Sequence, residues 1–435
     1  MVHGENFTFS ITQKHLQQHT ATIRVARAFV DALYNEAVLA QKAEAQTYGF
    51  SKGTTPLQYI EHNFRSYILD HLKEFFFIHC VLGYLRQALI KNKIVVAGEP
   101  DLVDIRLQPQ EDALFTFSFT NIQLDNDDRW KKVNLRVPER KNYKDLDRQV
   151  ESFIKEETEK AQADTDNSIA FLDWICFDMV LVNQNKKPLL HSHKDEVWVK
   201  ISDEEADREL HELFLGKKVG DTFYTKNVMF QEYVSNKLNV NYTFAISIKD
   251  RVPHAYFSFD AFNRHFQIKN SKDMHLKLIE VFSHRNDLSQ RRETIEASLK
   301  LLSKQYFMLL PSHLLDRQRH YVLAQVHENP DYHVYKAQSD FKEKIRQLAE
   351  KQLKETIIID MVAYKENIQV THEDIVGYLN LIKRPRTKEF IYFDLPPSKV
   401  NGQEMPVSTE VIKQYCLREK TLNFVIHYLT KKAKL

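Results

Sequence analysis

The side chains of this chain that could ligate a metal or act as nucleophiles are its nineteen histidines and three cysteines. His15 and His19 stand one helical turn apart, and His191 and His193 flank Ser192. Neither pair sits in a His-Glu-x-x-His or Cys-x-x-Cys frame, the spacings that bring several ligands onto one ion, so no metal site is expected. Cys80, Cys176 and Cys416 are odd in number and far apart, which argues against a disulfide framework and fits a reducing, cytoplasmic setting. The sequence holds neither a Gly-x4-Gly-Lys-Ser/Thr nor a Gly-x-Gly-x-x-Gly loop. Chemistry driven by ATP or a dinucleotide, and any cofactor, is therefore not expected. Combinations of Ser, His and Asp are too common to implicate without geometry.

One short stretch stands out instead: Gly49-Phe50-Ser51-Lys52-Gly53-Thr54-Thr55-Pro56. Two of only nine glycines lie four apart in it, the mark of a backbone that must go where a side chain would obstruct it. Between them Phe50 and Lys52 are pushed outward. Thr55 reads as an N-cap, Pro56 as the first helical residue and Gln58 as the return partner of a capping box. The stretch is thus a short tip mounted on a helix start.

It resembles the Gly-Phe-Arg-x-Gly-x-x-Pro signature of the trigger factor family, bacterial chaperones that dock beside the ribosomal exit. The resemblance implies that Gly49, Phe50, Ser51, Lys52, Gly53 and Pro56 contact the ribosome. Ser51 stands where the signature has arginine, a residue whose forked, charge-assisted bonds a serine cannot make. Leu215-Gly216-Lys217-Lys218-Val219-Gly220-Asp221-Thr222-Phe223 is similar to the turn after the helix of FKBP-type prolyl isomerase domains. That fold is a bent antiparallel sheet wrapped on one helix.

A prolyl isomerase needs no nucleophile or metal, only an apolar site that lowers a barrier of about 18 to 20 kcal/mol by desolvation and a few hydrogen bonds. By resemblance, Asp178 and Met179 fall on an acidic-aromatic pair of the first long strand, Tyr233 on the pocket tyrosine and Phe244 on a later aromatic. Asp207-Arg208-Glu209-Leu210 replaces the family's Ile-Pro-Gly-aromatic helix start, with Leu210 in the aromatic's place. Burying an unpartnered charge is costly, so Asp207 is expected to face water and the pocket to be altered. The domain is read as a degenerate isomerase kept as a spacer or added binding surface. An active isomerase is the alternative.

The elements that position these residues follow from periodicity. Phe7 to Ile11 alternates as a strand, and Val25, Phe29, Leu33, Ala37 and Ala40 repeat helically between Ile23 and about Gln46. Helical spacing resumes from Ile60 to Leu85, and strands return at Leu102–Leu107 and Leu114–Phe119. Residues 1–120 are thus an α+β domain. Residues 121–165 are highly charged and read as a linker, with a helix from near Asn142. Residues 166–250 turn to short β-type runs at Phe171–Val182, Val197–Ile201, Thr222–Met229 and Tyr242–Ile248. Within them Ser202-Asp203-Glu204-Glu205 reads as a capping box opening a helix through Leu213. Residues 251–435 read as helical. There Leu310-Pro311 resembles the family's helix start, and Gln347–Ala363 with Ile368–Ile375 its long helix, turn and next N-cap. The proline-rich run 394–402 is expected to be a surface insertion.

The chain of 435 residues is therefore an α+β multidomain protein: an N-terminal α+β domain, an FKBP-like sheet with one helix, and an all-helical arm domain. Its mean hydropathy of −0.47 and lack of any long apolar run exclude a transmembrane helix. The start, Met1-Val2-His3-Gly4-Glu5-Asn6, is not that of a signal peptide. The net charge of +2 divides unevenly, with residues 251–435 the most basic part, yet no segment is dense enough for a dedicated nucleic-acid binder. The resemblance implies an ATP-independent chaperone whose partners are the ribosome near the polypeptide exit and nascent or unfolded chains. It implies no membrane, and no specific nucleic acid beyond a ribosomal RNA contact. A ribosome-independent holdase or assembly factor is a second alternative, and a homodimer is compatible with either.

Overall fold

The structure, a computed structural model, describes residues 6–14, 17–122, 128–135, 145–164, 166–183, 185–189, 195–233, 242–286, 288–327, 329–396, 398–400 and 402–432. The N-terminal module begins with strands β1 (Phe7–Gln13) and β2 (Gln18–Val25), followed by helices α1 (Arg27–Glu44), α2 (Leu57–Asn63) and α3 (Arg65–Phe75). A π-helical turn, Phe76–Val81, leads into α4 (Leu82–Lys91), and β3 (Val96–Arg106) and β4 (Ala113–Asn121) close the sheet. The antiparallel order is β1-β2-β4-β3. Ala21, Ile23, Val25, Phe115 and Phe117 point to one face, as the two-residue side-chain period requires, and bury against Phe29, Leu33 and Ala37 of α1. The helix expected from Ile23 starts at Arg27 instead. Ile23 and Val25 alternate with polar neighbours in β2, and the Asp112 carboxylate accepts the Arg27 backbone N–H at 2.8 Å, satisfying an orphan donor of the first turn.

The middle module contains α5 (Leu146–Ala163), β5 (Trp174–Val182), β6 (Asp195–Lys200), a 3₁₀ turn at Glu205–Asp207, α6 (Arg208–Phe214), β7 (Thr222–Thr225), α7 (Val228–Tyr233) and β8 (Thr243–Val252). The expected strand Thr222–Met229 stops at Thr225, because Asn227 accepts the Met229 amide at 2.9 Å and starts α7. The expected capping box is also absent. Ser202 accepts the Glu204 amide at 3.1 Å, a tight serine turn, and the α-helix begins only at Arg208.

The helical module comprises α8 (Phe259–His265), α9 (Ser271–Asn286), α10 (Leu288–Gln305), α11 (Ser312–His327), α12 (Tyr332–Lys336), α13 (Phe341–Lys365), α14 (His372–Ile382) and α15 (Pro385–Lys388). The short strands β9 (Lys399–Val400), β10 (Gln403–Glu404) and β11 (Val407–Ser408) precede the last helix, α16 (Thr409–Lys432). Thr371 and Asp374 form the capping box of α14, where an N-cap was expected. The module is not purely helical. β9 and β10 form a hairpin, and β11 adds antiparallel to β6, pairing Val407 with Trp198. The run 394–402, expected as a surface insertion, therefore leads into a strand that extends the middle sheet to the order β11-β6-β5-β8-β7.

Residues expected as a linker also join a core. The 3₁₀ turn Arg129–Lys132 buries Trp130 completely, 5.2 Å from the Tyr428 ring and 6.2 Å from that of Phe424 on α16. Leu146 and Val150 of α5 pack with Leu278, Ile279 and Phe282 of α9. Most charges of α5 lie on the side away from its apolar stripe, and composition averages the two away.

One buried ion cluster ties the end of α5 to β8 of the middle sheet and to the segment that leads into the helical module. Arg251 of β8 is 2.6 Å from Asp173, which has no exposed surface, and 3.0 Å from Asp164 at the end of α5. Asp173 also accepts the Ala170 and His254 amides, at 2.9 and 2.7 Å. Removing one partner of a buried pair strands the other charge, so Asp173→Ala should lower stability by about 3–5 kcal/mol. The Arg208→Ala change, breaking an exposed pair with Glu205 and Glu212, should cost under about 1 kcal/mol. Urea unfolding followed by circular dichroism checks both.

Candidate functional site

The tip joins α1 to α2 and is built from local turns. Gly49 and Gly53 adopt φ of 84° and 81°, the left-handed region closed to most side chains. The Phe50 amide donates to the Thr47 carbonyl at 3.1 Å, and the Thr54 amide and hydroxyl both donate to the Ser51 carbonyl, at 3.0 and 2.7 Å. Thr55, expected as the N-cap, is wholly buried with its hydroxyl 2.7 Å from that of Thr47, clamping the base of the loop. Pro56 itself takes the cap position, and no side chain caps α2.

This geometry holds Phe50 in solvent, its ring 6.2 Å from that of Tyr59, with Tyr48 fully exposed beside it and Leu57 exposed below. Lys52 pairs with Glu44 at 2.6 Å across exposed surface, a contact of small energy that neutralises the only cation of the loop. Tyr48, Leu57 and Tyr59 were not singled out in the sequence. Their signal was the clustering of large side chains around a glycine turn, where bury-or-expose is undecided by spacing alone. The site is thus an apolar and aromatic knob with little net charge.

The residues expected to line an isomerase pocket divide between the two faces of the middle sheet. Met179, Leu210 and Phe244 are buried in one core with Phe177, Phe214 and Phe230. Asp178 cannot join them, because successive residues of β5 point to opposite faces. It lies with Cys176 and Trp198 on the outer face, 3.0 Å from Lys249. Asp207, expected in water, is buried and accepts the Glu404 amide at 2.9 Å. A backbone donor from the C-terminal hairpin offsets its desolvation, which no local sequence pattern could announce.

Tyr233 sits at the margin of that core and donates its hydroxyl to Asp195 at 3.0 Å. Burial, then the Asp195 charge, raises its pKa well above the usual tyrosine range. Asp195 also lies 3.2 Å from Nδ1 of His79, in the π-helical turn of the N-terminal module. Nearby, His71 Nε2 is 2.7 Å from the Tyr242 hydroxyl and the two rings stack at 5.6 Å. His71, His79, Asp195 and Tyr242 were missed in the sequence because their partners are over 100 residues away.

On the outer side, Leu172, Trp174, Lys200, His254, Lys383 and Asp394 bound a cleft between the middle sheet and the C-terminal segment. Burial, then Arg384, pushes the Lys383 amine down to about 7. It donates to the Pro253 and Tyr256 carbonyls at 2.5 and 2.7 Å, a bracket between modules with no reacting group beside it. Among the described residues no group of three or more His, Cys, Asp or Glu side chains is arranged to hold a metal ion. His15, His191 and His193 lie outside the described residues, and His19 stacks on Phe119. All three cysteines are buried and none forms a disulfide.

The large apolar residues of the helical module fall into two sets. Phe282, Leu299, Leu302, Tyr306, Ile357 and Ile358 are core, and Leu323 is half-buried. Phe307 and Leu309 are 84% and 69% exposed, alternating with buried Tyr306 and Met308 in the extended link between α10 and α11. Val334, Tyr335, Tyr321 and Leu348 are exposed on α11, α12 and α13. No helix of the described residues is long and apolar enough to cross a membrane.

Comparison with known proteins bears on the N-terminal and helical modules. A family model described as bacterial trigger factor protein matches residues 8–156, and one for the C-terminus of bacterial trigger factor matches residues 273–384. The trigger factor of Caldicellulosiruptor saccharolyticus is 21% identical over 227 residues, 49% of this chain and 50% of that protein. That of Caldicellulosiruptor bescii is 22% identical over 151 residues, 32% of this chain and 33% of that protein. The chain thus spans about half or less of the curated relatives it matches. A solved structure from work on promiscuous substrate recognition by the trigger factor chaperone is 14% identical. It aligns over 97% of this chain and 100% of that one, with a TM-score of 0.37. The two matched segments together cover more than half of the sequence, in family order, with the glycine-hinged tip inside the first: the chain belongs to the trigger factor family as a divergent member.

Proposed function

We propose that the protein is an ATP-independent chaperone of the cytoplasm that binds nascent or unfolded polypeptides near the ribosomal exit, docking through residues 49–56. The observation that carries this reading is the tip, where two positive-φ glycines hold Tyr48 and Phe50 in solvent. A monomeric surface rarely presents clustered large apolar side chains without a partner. With Ser51 in place of arginine and Lys52 already paired to Glu44, the contact is mainly apolar, so its partner is a protein surface more than ribosomal RNA.

Clients meet the chain at separated apolar points, chiefly Phe307, Leu309, Val334 and Tyr335. Weak contact at several such points holds an emerging segment and delays its collapse without any energy source, and the sequence has no phosphate-binding glycine loop.

A prolyl isomerase reading is disfavoured. Asp178 lies across the sheet from Met179, Leu210 and Phe244, and those three are close-packed rather than lining an open cleft. The middle module then serves as a spacer and binding surface.

Co-sedimentation with ribosomes tests the docking role: Phe50→Ala should weaken binding about 10-fold, as truncation of an aromatic anchor does, and Lys52→Ala by much less. Binding unaffected by Phe50→Ala removes that role from the tip and leaves a ribosome-independent holdase. Phe307→Ser combined with Leu309→Ser should raise the concentration needed to suppress aggregation of a denatured client, while the unfolding free energy stays within about 1 kcal/mol of the parent because both residues are exposed. Cis-trans isomerisation of a prolyl peptide should run within a few-fold of the uncatalysed rate; a rate typical of FKBP-type enzymes would reverse the assignment of the middle module.

A further inference from the structure

The outer cleft between the middle sheet and the C-terminal segment gathers charges of one sign. Trp174 opens β5, Lys200 closes β6 opposite it, and His254 follows β8, so all three come to one end of the sheet. Lys383, just past α14, and Leu395 come from the C-terminal segment and complete the lining. Among the described residues neither the Lys200 amine nor the His254 ring has a hydrogen-bond or ion-pair partner. Lys383 uses two of its three ammonium donors on the Pro253 and Tyr256 carbonyls, which leaves one. The two carboxylates of the lining are already engaged: Asp394 pairs with Lys388 at 2.8 Å, and Glu404 accepts the Ser398 hydroxyl at 2.5 Å. What remains uncommitted is positive. Burial, then the charges of Arg384, Lys383 and Lys200, lower the pKa of His254 against a smaller opposing pull from Asp173. Cations gathered in this way repel one another unless an anion lies among them.

The wall of the cleft also holds strained backbone. Leu172 has a φ of 67°, in the left-handed region that a bulky side chain enters only at a cost. Its amide donates to the Ile201 carbonyl at 2.6 Å, and its neighbour Asp173 is fixed by Arg251, so the conformation is held from both sides. Strain of this kind gathers at ligand sites, where the surrounding structure is built to maintain it. Here it sets Leu172 in the cleft wall with Trp174. The cleft has a volume of about 250 Å³. An apolar cavity of roughly 150 Å³ takes benzene, so this one has room for a ring or short branched chain with one acid group attached.

We propose that this cleft binds a small organic anion, an acid group on an apolar body, with Lys200, His254 and Lys383 holding the acid and Leu172, Trp174 and Leu395 the body. Carboxylates and phosphate monoesters share that chemistry. One wall belongs to the middle sheet and the other to the segment that runs on into β11 and α16, so the ligand fastens the two together. A ligand that binds only the folded chain raises its stability by mass action. The site shares no residue with the tip or with the link carrying Phe307 and Leu309, and it does not depend on the chaperone reading.

Isothermal titration calorimetry on the full chain tests this with phenyl phosphate, phenylacetate, benzyl alcohol and inorganic phosphate. Saturable binding of either aromatic acid supports the site, and the tighter of the two identifies the acid group. Benzyl alcohol lacks the charge and inorganic phosphate lacks the body, so each should bind at least about 10-fold more weakly. Lys200→Met should weaken binding of the acid about 10-fold, as loss of one charge-assisted hydrogen bond does, and His254→Gln a few-fold. Neither side chain has a partner to lose, so without ligand both variants should unfold in urea at the parent's midpoint. Asp394→Asn removes a carboxylate from the lining and should tighten binding about 3-fold. The acid should also raise the parent's thermal midpoint, and Lys200→Met should lose most of that rise. If Lys200→Met does not fold, His254→Gln and Asp394→Asn decide. Benzyl alcohol binding as tightly as the acids overturns the anion site. So does an affinity that the folded variants leave unchanged, or the absence of heat and thermal shift with both acids at millimolar concentration.

Discussion

An antiparallel sheet with both faces apolar must be covered twice, and that requirement organises this molecule. Along β5 the burial is almost continuous, Trp174 and Cys176 to one side, Ile175, Phe177, Met179 and Leu181 to the other. Antiparallel sheets commonly leave one face to water. Here α6 and α7, with the N-terminal module beyond them, close the inner face, while Ile375, Tyr378 and Leu379 of α14 and Ile412 and Cys416 of α16 close the outer one. The middle sheet is the hub on which the other two modules are mounted.

Covering both faces explains the polar work at the seams. Each module boundary brings backbone and charged groups out of water, and the main ones find partners there. Asp207 receives the Glu404 amide, and Glu157 receives the Phe257 amide and pairs with Arg384. These pairs add less net stability than their number suggests, since desolvation offsets much of their attraction. What they add is definition, because an unmatched charge at any seam would be far worse than a missing contact.

The same arrangement separates what is fixed from what is presented. The tip, the link carrying Phe307 and Leu309, and the α12 region all lie away from the hub, and all show large apolar side chains to solvent. The proposed chaperone role, in which clients are released without fuel, calls for this division: rigid mounts, and sparse apolar contacts that are individually weak.

Much of the local architecture was legible in the sequence. The strand at Phe7, the 3.6-residue stripe of α1 and the alternation of β4 all follow from spacing between near neighbours, while the α14 cap was expected from the family resemblance. So did the positive φ of Gly49 and Gly53, since only glycine relieves that strain. The Trp130 burial, the β11–β6 pairing, the seat of Asp207 and the His79–Asp195 contact were not legible. Each joins residues brought together only by the packing of whole modules, with separations from about 100 to over 290 residues. Sequence alone determined which segments must be strand, helix or left-handed turn, because those depend on neighbours within a few residues. Which face of β5 held Asp178, and whether Asp207 met water or an amide, was decided by tertiary structure, because a charge's cost depends on what the rest of the chain places beside it.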